Sequence, residues 1–283
     1  MQTPMHSTDR TLLRLYEQDE LLESHVLSIW FVADACGVVR PWLHDDGLLE
    51  TLLLLACRKS HTYLMELLLR PSLFHGCSAA TTETIIDAAR TQRLFGALRF
   101  FVQHDIGDMN EMMYWTCKQS PLDDDTEVRY LFDSLMQKAS VDKAFESNLF
   151  IGTAAKYNNL YAVQALLACP EVEVDPSDER NYALCTASKY GHVEVVERLL
   201  QDRRVDPSDD DNRAIRLACQ YNHLPVVQRL MRSHRVDPSC RSNVCVQYAI
   251  DHAIDDWSNH LLLKALLTDP RVSLTNAQAM ALL

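Results

Sequence analysis

In the second half of the chain, apolar residues come as adjacent pairs four positions apart. Val195, Val196, Leu199 and Leu200 fall at i, i+1, i+4 and i+5, which predicts a short helix with a single buried stripe. Before it, the stretch NYALCTASKY predicts a first helix with alanine and leucine facing inward, where a neighbouring helix comes close. Asn181 stands where an N-cap is expected, because its side chain can accept from an unpaired backbone N–H. Gly191-His192 reverses the chain between the two helices, and Asp206-Pro207 stops the second, since the residue before proline is driven to extended geometry.

The same arrangement recurs. Val174-Asp175-Pro176-Ser177 returns as Val205-Asp206-Pro207-Ser208 and as Val236-Asp237-Pro238-Ser239, and Asn181, Asn212 and Asn243 keep the same step of 31 residues. NRAIRLACQYNHLPVVQRLM repeats the helix pair. NLFIGTAAKYNNLYAVQALL keeps it upstream, and NVCVQYAIDHAIDDWSNHLLLKALL keeps its ends downstream around an insertion. A lone pair cannot bury its stripe, but stacked neighbours can, so the expected fold is an all-α solenoid of helix-turn-helix units.

The first half is more worn, yet Leu55-Ala56-Cys57 reads against Leu217-Ala218-Cys219. The anchors Ala56, Ala88, Thr116, Ala154, Ala187, Ala218 and Ala249 place seven units along the chain. Three stretches follow: an N-terminal helical segment over 1–47, degenerate repeats over 48–147 and clear repeats over 148–283, with TNAQAMALL as a capping helix or a repeat cut short. Residues 1–47 carry an apolar face with Leu13, Leu21, Leu22, Ile29 and Trp30. That face either caps the first repeat, which solenoids require, or docks a second partner as in adaptors that bridge a ligase to its substrate.

Charge and cysteine content narrow the function. The net charge is −12, with 27 basic against 39 acidic residues and no lysine–arginine cluster, which argues against nucleic-acid binding. Nine cysteines without paired spacing, no basic leader before an apolar run and no bilayer-length apolar segment predict a reducing intracellular compartment, the cytoplasm or the nucleus.

Catalytic patterns are scarce: HExxH, GxxxxGK[ST], GxSxG and GxGxxG do not occur. His44-Asp45-Asp46, with His25 or His61, offers the residue types of a metal-dependent hydrolase, against a plain loop before Gly47. Asp123-Asp124-Asp125 lacks the alternating oxygens and central glycine of a calcium loop and reads as a solvated insertion. Cys57, Cys185 and Cys219 fall at repeat positions and read as small buried hydrophobes. The expectation is therefore a chain without cofactor, metal or enzymatic activity.

With its helix pairs, its projecting turns and the Gly-His-x-x-Val-Val-x-x-Leu-Leu stretch at Gly191–Leu200, the sequence resembles ankyrin repeats. The resemblance is closest to the short, divergent arrays of protists and large DNA viruses. Tyr182-Ala183-Leu184-Cys185 and Arg213-Ala214-Ile215-Arg216 stand where the family has Thr-Pro-Leu-His, and most of its turn glycines are missing. These departures fall on the finger-like β-turn and leave the helix-pair stack intact. The resemblance implies a monomeric scaffold that binds protein through its concave face and finger tips. Carried over by position, the tips are Ser177-Asp178-Glu179-Arg180, Ser208-Asp209-Asp210-Asp211 and Ser239-Cys240-Arg241-Ser242. The first helices contribute Tyr182, Arg213 and a recurring tyrosine at 157, 190 and 221. That tyrosine is either a binding hot spot or a filler of the seam between units, and the acidic tips are either partner contacts or solvated turns.

Overall fold

The computed structural model describes residues 53, 55–59, 79–119, 126–169, 174–255, 260–275 and 278. Residues 1–47 lie outside these, as do His61 and Asp123-Asp124-Asp125. The described residues are helices and turns without a strand, so the fold is all-α. The chain divides into two compact units, 1–109 and 110–283.

In the first unit, α1 (Ala79–Thr91) and α2 (Phe95–Gln103) form a pair joined by a turn at Arg93 with φ 53°. The amide of Leu94 closes that turn on the carbonyl of Ala89 at 2.9 Å, as that of Asn159 does on Ala154, His192 on Ala187 and His223 on Ala218. Ala89, fully buried, is therefore the anchor of this unit; Ala88, named from the sequence, stands one residue off and is half-buried.

The second unit holds α3 (Met109–Lys118) from residue 110 onward, α4 (Thr126–Met136), α5 (Phe145–Lys156), α6 (Leu160–Leu167), α7 (Asp178–Tyr190) and α8 (Val193–Leu200). It continues with α9 (Asp209–Gln220), α10 (Leu224–Met231), α11 (Cys240–Asp255) and α12 (His260–Leu266). The odd-numbered first helices from α5 to α11 pack on one another in sequence; the even-numbered second helices from α6 to α12 do the same and cover them from one side. Val195, Val196 and Leu199 of α8 are buried, as the stripe predicts, while its fourth member, Leu200, is half-buried; Val226, Val227 and Leu230 of α10 are buried likewise. Ala154, Ala187, Ala218 and Ala249 have no exposed surface, which is what close approach of first helices requires.

The missing turn glycines are replaced without loss of geometry. Asn158, Gly191 and Asn222 occupy the same left-handed position, with φ 58°, 79° and 57°; asparagine is the residue other than glycine that best tolerates it. A Cβ at Gly191 would lie 2.6 Å from the His223 ring, so this position needs glycine on two counts.

The segment between units differs from a β-turn finger. The carboxylates of Asp175, Asp206 and Asp237 each accept from the backbone N–H and the hydroxyl of the serine two residues on, at 2.6–3.0 Å. This is an aspartate-closed turn set by the Asp-Pro-Ser sequence. Three left-handed residues follow in each unit: Glu179-Arg180-Asn181, Asp210-Asp211-Asn212 and Arg241-Ser242-Asn243, all with φ between 48° and 63°. Left-handed backbone costs a residue with a side chain about 1–2 kcal/mol. Arg180→Gly is accordingly expected to raise the unfolding free energy by about 0.5–1 kcal/mol in urea titration; a loss of stability would show that Arg180 contributes more through contacts than its backbone costs.

Candidate functional site

Burial along the first helices leaves a single face uncovered. In α7 the residues from Ala183 to Ser188 are buried, while Tyr182 and Tyr190 are 41% and 43% exposed at either end of one stripe that passes over Thr186. In α9 the stripe is Arg213, Leu217 and Tyr221, the last 45% exposed. Tyr157, the C-cap residue of α5, continues it at 37%. The structure thus brings four of the sequence-derived residues, Tyr182, Tyr190, Arg213 and Tyr221, onto one row of helix faces. Tyr182 lies against the preceding first helix: a Cβ at Gly152 would sit 2.7 Å from its ring, so that glycine makes the seat.

The recurring tyrosine is half exposed, with lysines beside it. Lys156 Nζ lies 5.4 Å from the ring of Tyr157 and 5.9 Å from that of Tyr190; Lys189 Nζ lies 5.6 Å from Tyr190 and 5.2 Å from Tyr221. A cation over a ring face is attracted by the ring quadrupole. The result is an alternating tyrosine–lysine ladder across three successive units.

The turns between units are largely engaged in holding those units together. Asn181 does not cap its own helix. Its Oδ1 accepts from the backbone N–H of Asp206 at 3.0 Å and its Nδ2 donates to Asp209 at 3.0 Å, both in the next unit. Asn148 does the same with Asp175 and Asp178, and Asn212 accepts from the N–H of Asp237 at 2.7 Å. The expected N-cap is corrected on this point: a left-handed asparagine aims its amide across the stack rather than along its helix. Asp210 lies 3.9 Å from Arg180 and 3.6 Å from Arg213, and Asp211 pairs with Arg241 at 3.1 Å. Of the acidic tip residues, Asp178, Asp209, Asp210 and Asp211 all carry a partner in a neighbouring unit or their own helix, while Glu179 projects outward.

Two further cross-unit contacts were not singled out from sequence. The ring Nε2–H of His192 and of His223 donates to the carbonyls of Lys156 and Lys189 at 2.9 Å, and Asn159 fills the same role toward Thr116 and Gln119. Arg204, held by Asp202 at 2.7 Å, donates to the carbonyl of Val174; Arg271, held by Asp269, donates to that of Val236. The signal was present as an arginine immediately before each of Val205, Val236 and Val272.

These contacts set the charge states. Arg204 holds the Asp202 carboxyl below the ordinary carboxylate range, Arg271 does so for Asp269, and the Ser208 hydroxyl does so for Asp206. A carboxyl with a lowered folded pKa stabilises the fold above its unfolded value near 4 and loses that contribution as pH falls through the lower folded value. The melting temperature is expected to be flat with respect to these groups above about pH 5 and to fall below about pH 4. In Asp202→Asn and Asp269→Asn the drop attributable to these groups should shrink.

Among the described residues no three His, Cys, Asp or Glu side chains are grouped to hold a metal ion. His25, His44, Asp45 and Asp46 lie outside them. Burial pushes the Cys57 thiol up to about 12 and that of Cys185 to about 11, so both stay protonated near neutrality. No described helix is long and apolar enough to cross a membrane.

Stacked antiparallel helix pairs joined by recurring cross-unit bonds define a helical-repeat protein. Residues 151–242 match the family model described as ankyrin repeats, in three copies. The repeats there are ankyrin repeats, a protein–protein interaction module. No curated protein matches the sequence.

Proposed function

We propose that the chain is a non-catalytic, monomeric scaffold that holds a protein partner against the uncovered stripe of its first helices. The observation that carries this reading is the stripe itself: Tyr182, Tyr190, Tyr221 and Arg213 are exposed at matching positions of α7 and α9, whose inward residues Ala183, Leu184, Ala187, Ala214, Ile215 and Ala218 are buried. Tyrosine and arginine are the residue types that dominate binding energy at interfaces. The turn aspartates play a supporting part, since their bonds to Asn148, Asn181 and Arg241 fix the spacing of the units that present the stripe.

The test is affinity capture from the source cell with the full chain and with Tyr182→Ala/Tyr190→Ala/Arg213→Ala/Tyr221→Ala, after circular dichroism shows that the variant folds. The turn aspartates are left intact because removing them would loosen the stack. A protein held by the wild type and lost from the folded variant supports the reading. The same proteins on both would overturn it.

A further inference from the structure

We propose a second site, on the second-helix side of the stack: a trough between α10 and α12 that takes a linear alkyl carboxylate, a free fatty acid. The trough exists because the contact that closes the preceding junction is missing here. Between α8 and α10, the Nε–H of Arg229 donates to Glu197 at 3.0 Å and ties the two second helices together at their surface. Aligning the buried triplets Val195-Val196-Leu199, Val226-Val227-Leu230 and Leu262-Leu263-Leu266 carries Glu197 onto Gln228 and Arg229 onto Ala265. Alanine cannot reach across, and the surface between α10 and α12 stays open as a cavity of about 640 Å³. Its apolar lining comes chiefly from Leu224 and Met231 on α10 and from Leu261 and Ala265 on α12, and no aromatic ring contributes. Leu261 is 50% exposed, at the position where α8 has Glu194.

Size, shape and charge select the occupant. The volume falls within the roughly 300–1,000 Å³ of small-molecule sites. Its ten lining residues fall short of the roughly 20–30 a side that a protein interface takes, and the Glu197–Arg229 pair bounds the apolar surface on the α8 side. From Leu224 to the C-cap Arg232 the trough follows α10 for about 12 Å, at about 1.5 Å a residue, which suits a linear chain better than a compact ring. Arg232 and Lys264 line it and form no ion pair among the described residues, while the one carboxylate there, Asp269, is neutralised by Arg271 at 2.7 Å. Two positive charges therefore stand beside an aliphatic floor, which favours an anionic headgroup and rejects a cationic one. Both cations are exposed, so burial of the chain supplies most of the affinity and the charge adds selectivity.

The experiment is isothermal titration calorimetry of the full chain with sodium dodecanoate below its micellar concentration. One equivalent is expected to bind, with decanoate about tenfold weaker, because two fewer methylenes leave water. Dodecyltrimethylammonium, with the same chain and the opposite charge, should bind at least about tenfold more weakly than dodecanoate. Gln228→Glu/Ala265→Arg transplants the closing pair of the α8–α10 junction into the trough and should weaken dodecanoate at least about tenfold by filling it. Arg232→Gln/Lys264→Gln leaves the floor intact and should weaken dodecanoate about three- to tenfold without weakening the cationic amphiphile. Circular dichroism checks that each variant folds; should the transplanted pair disturb the fold, the exposed-charge variant still decides. No saturation at millimolar dodecanoate, equal affinity for decanoate, several equivalents of equal affinity, or undiminished binding by either folded variant would overturn the proposal. The trough is separate from the first-helix stripe, so its failure leaves the docking face untouched.

Discussion

Phe150→Ala is expected to lower the unfolding free energy by about 3–5 kcal/mol, the range for deleting a large aromatic from a closed core. Phe150 has no exposed surface and lies on the first helix α5, stacked at 5.8 Å against Phe145. Alanine there removes the transfer free energy of the ring and leaves a cavity that a helix packed on α6 and α7 can close only in part. Because each unit is stabilised mainly by its neighbours, the loss should spread to α7 and reduce amide protection there as well as in α5. Urea denaturation and hydrogen exchange on the full chain check both points. A loss below about 1 kcal/mol would mean that this part of the stack is loosely packed.

The second large effect concerns Asn181. Asn181→Ala removes an acceptor from the Asp206 N–H and a donor from the Asp209 carboxylate in one step. Each group left without its partner costs about 1–3 kcal/mol when shielded from water, and the Asp209 side is partly exposed, so the expected loss is about 2–3 kcal/mol. The mechanism predicts more than the magnitude. In a double-mutant cycle with Asp209→Ala the two losses should fall short of additivity by at least about 0.5 kcal/mol, since the second substitution removes a partner already gone. Additive losses would show that the asparagine acts within its own turn.

Much of the fold was legible in the sequence because repetition multiplies weak local signals. The pair Val195-Val196, the buried Ala187 and the Asp-Pro stop each recur at the same step, so the helix pairs and their stacking followed. What sequence periodicity did not reveal was the direction of polar side chains. An asparagine before a helix has the same letter whether it caps that helix or bonds to the next unit; the left-handed backbone at Asn181 decides, and propensity does not encode it. The one-residue offset between Ala88 and Ala89 has the same origin: two adjacent alanines match the anchor equally, and only burial separates them. For the candidate face, tyrosine recurrence marked the positions. The lysines beside them were invisible as a set, since the ring contacts of Lys156 and Lys189 reach into the next unit and depend on how the units stack.

Photo-crosslinking tests the central claim most directly. A benzoylphenylalanine placed at Tyr190 or at Tyr221 reports what touches the first-helix stripe, and one placed at the exposed Gln228 of α10 reports the second-helix side. In the source cell the account predicts a covalent adduct with the same protein at 190 and 221 and none at 228. Adducts at 228 alone, with 190 and 221 unreacted, would contradict it.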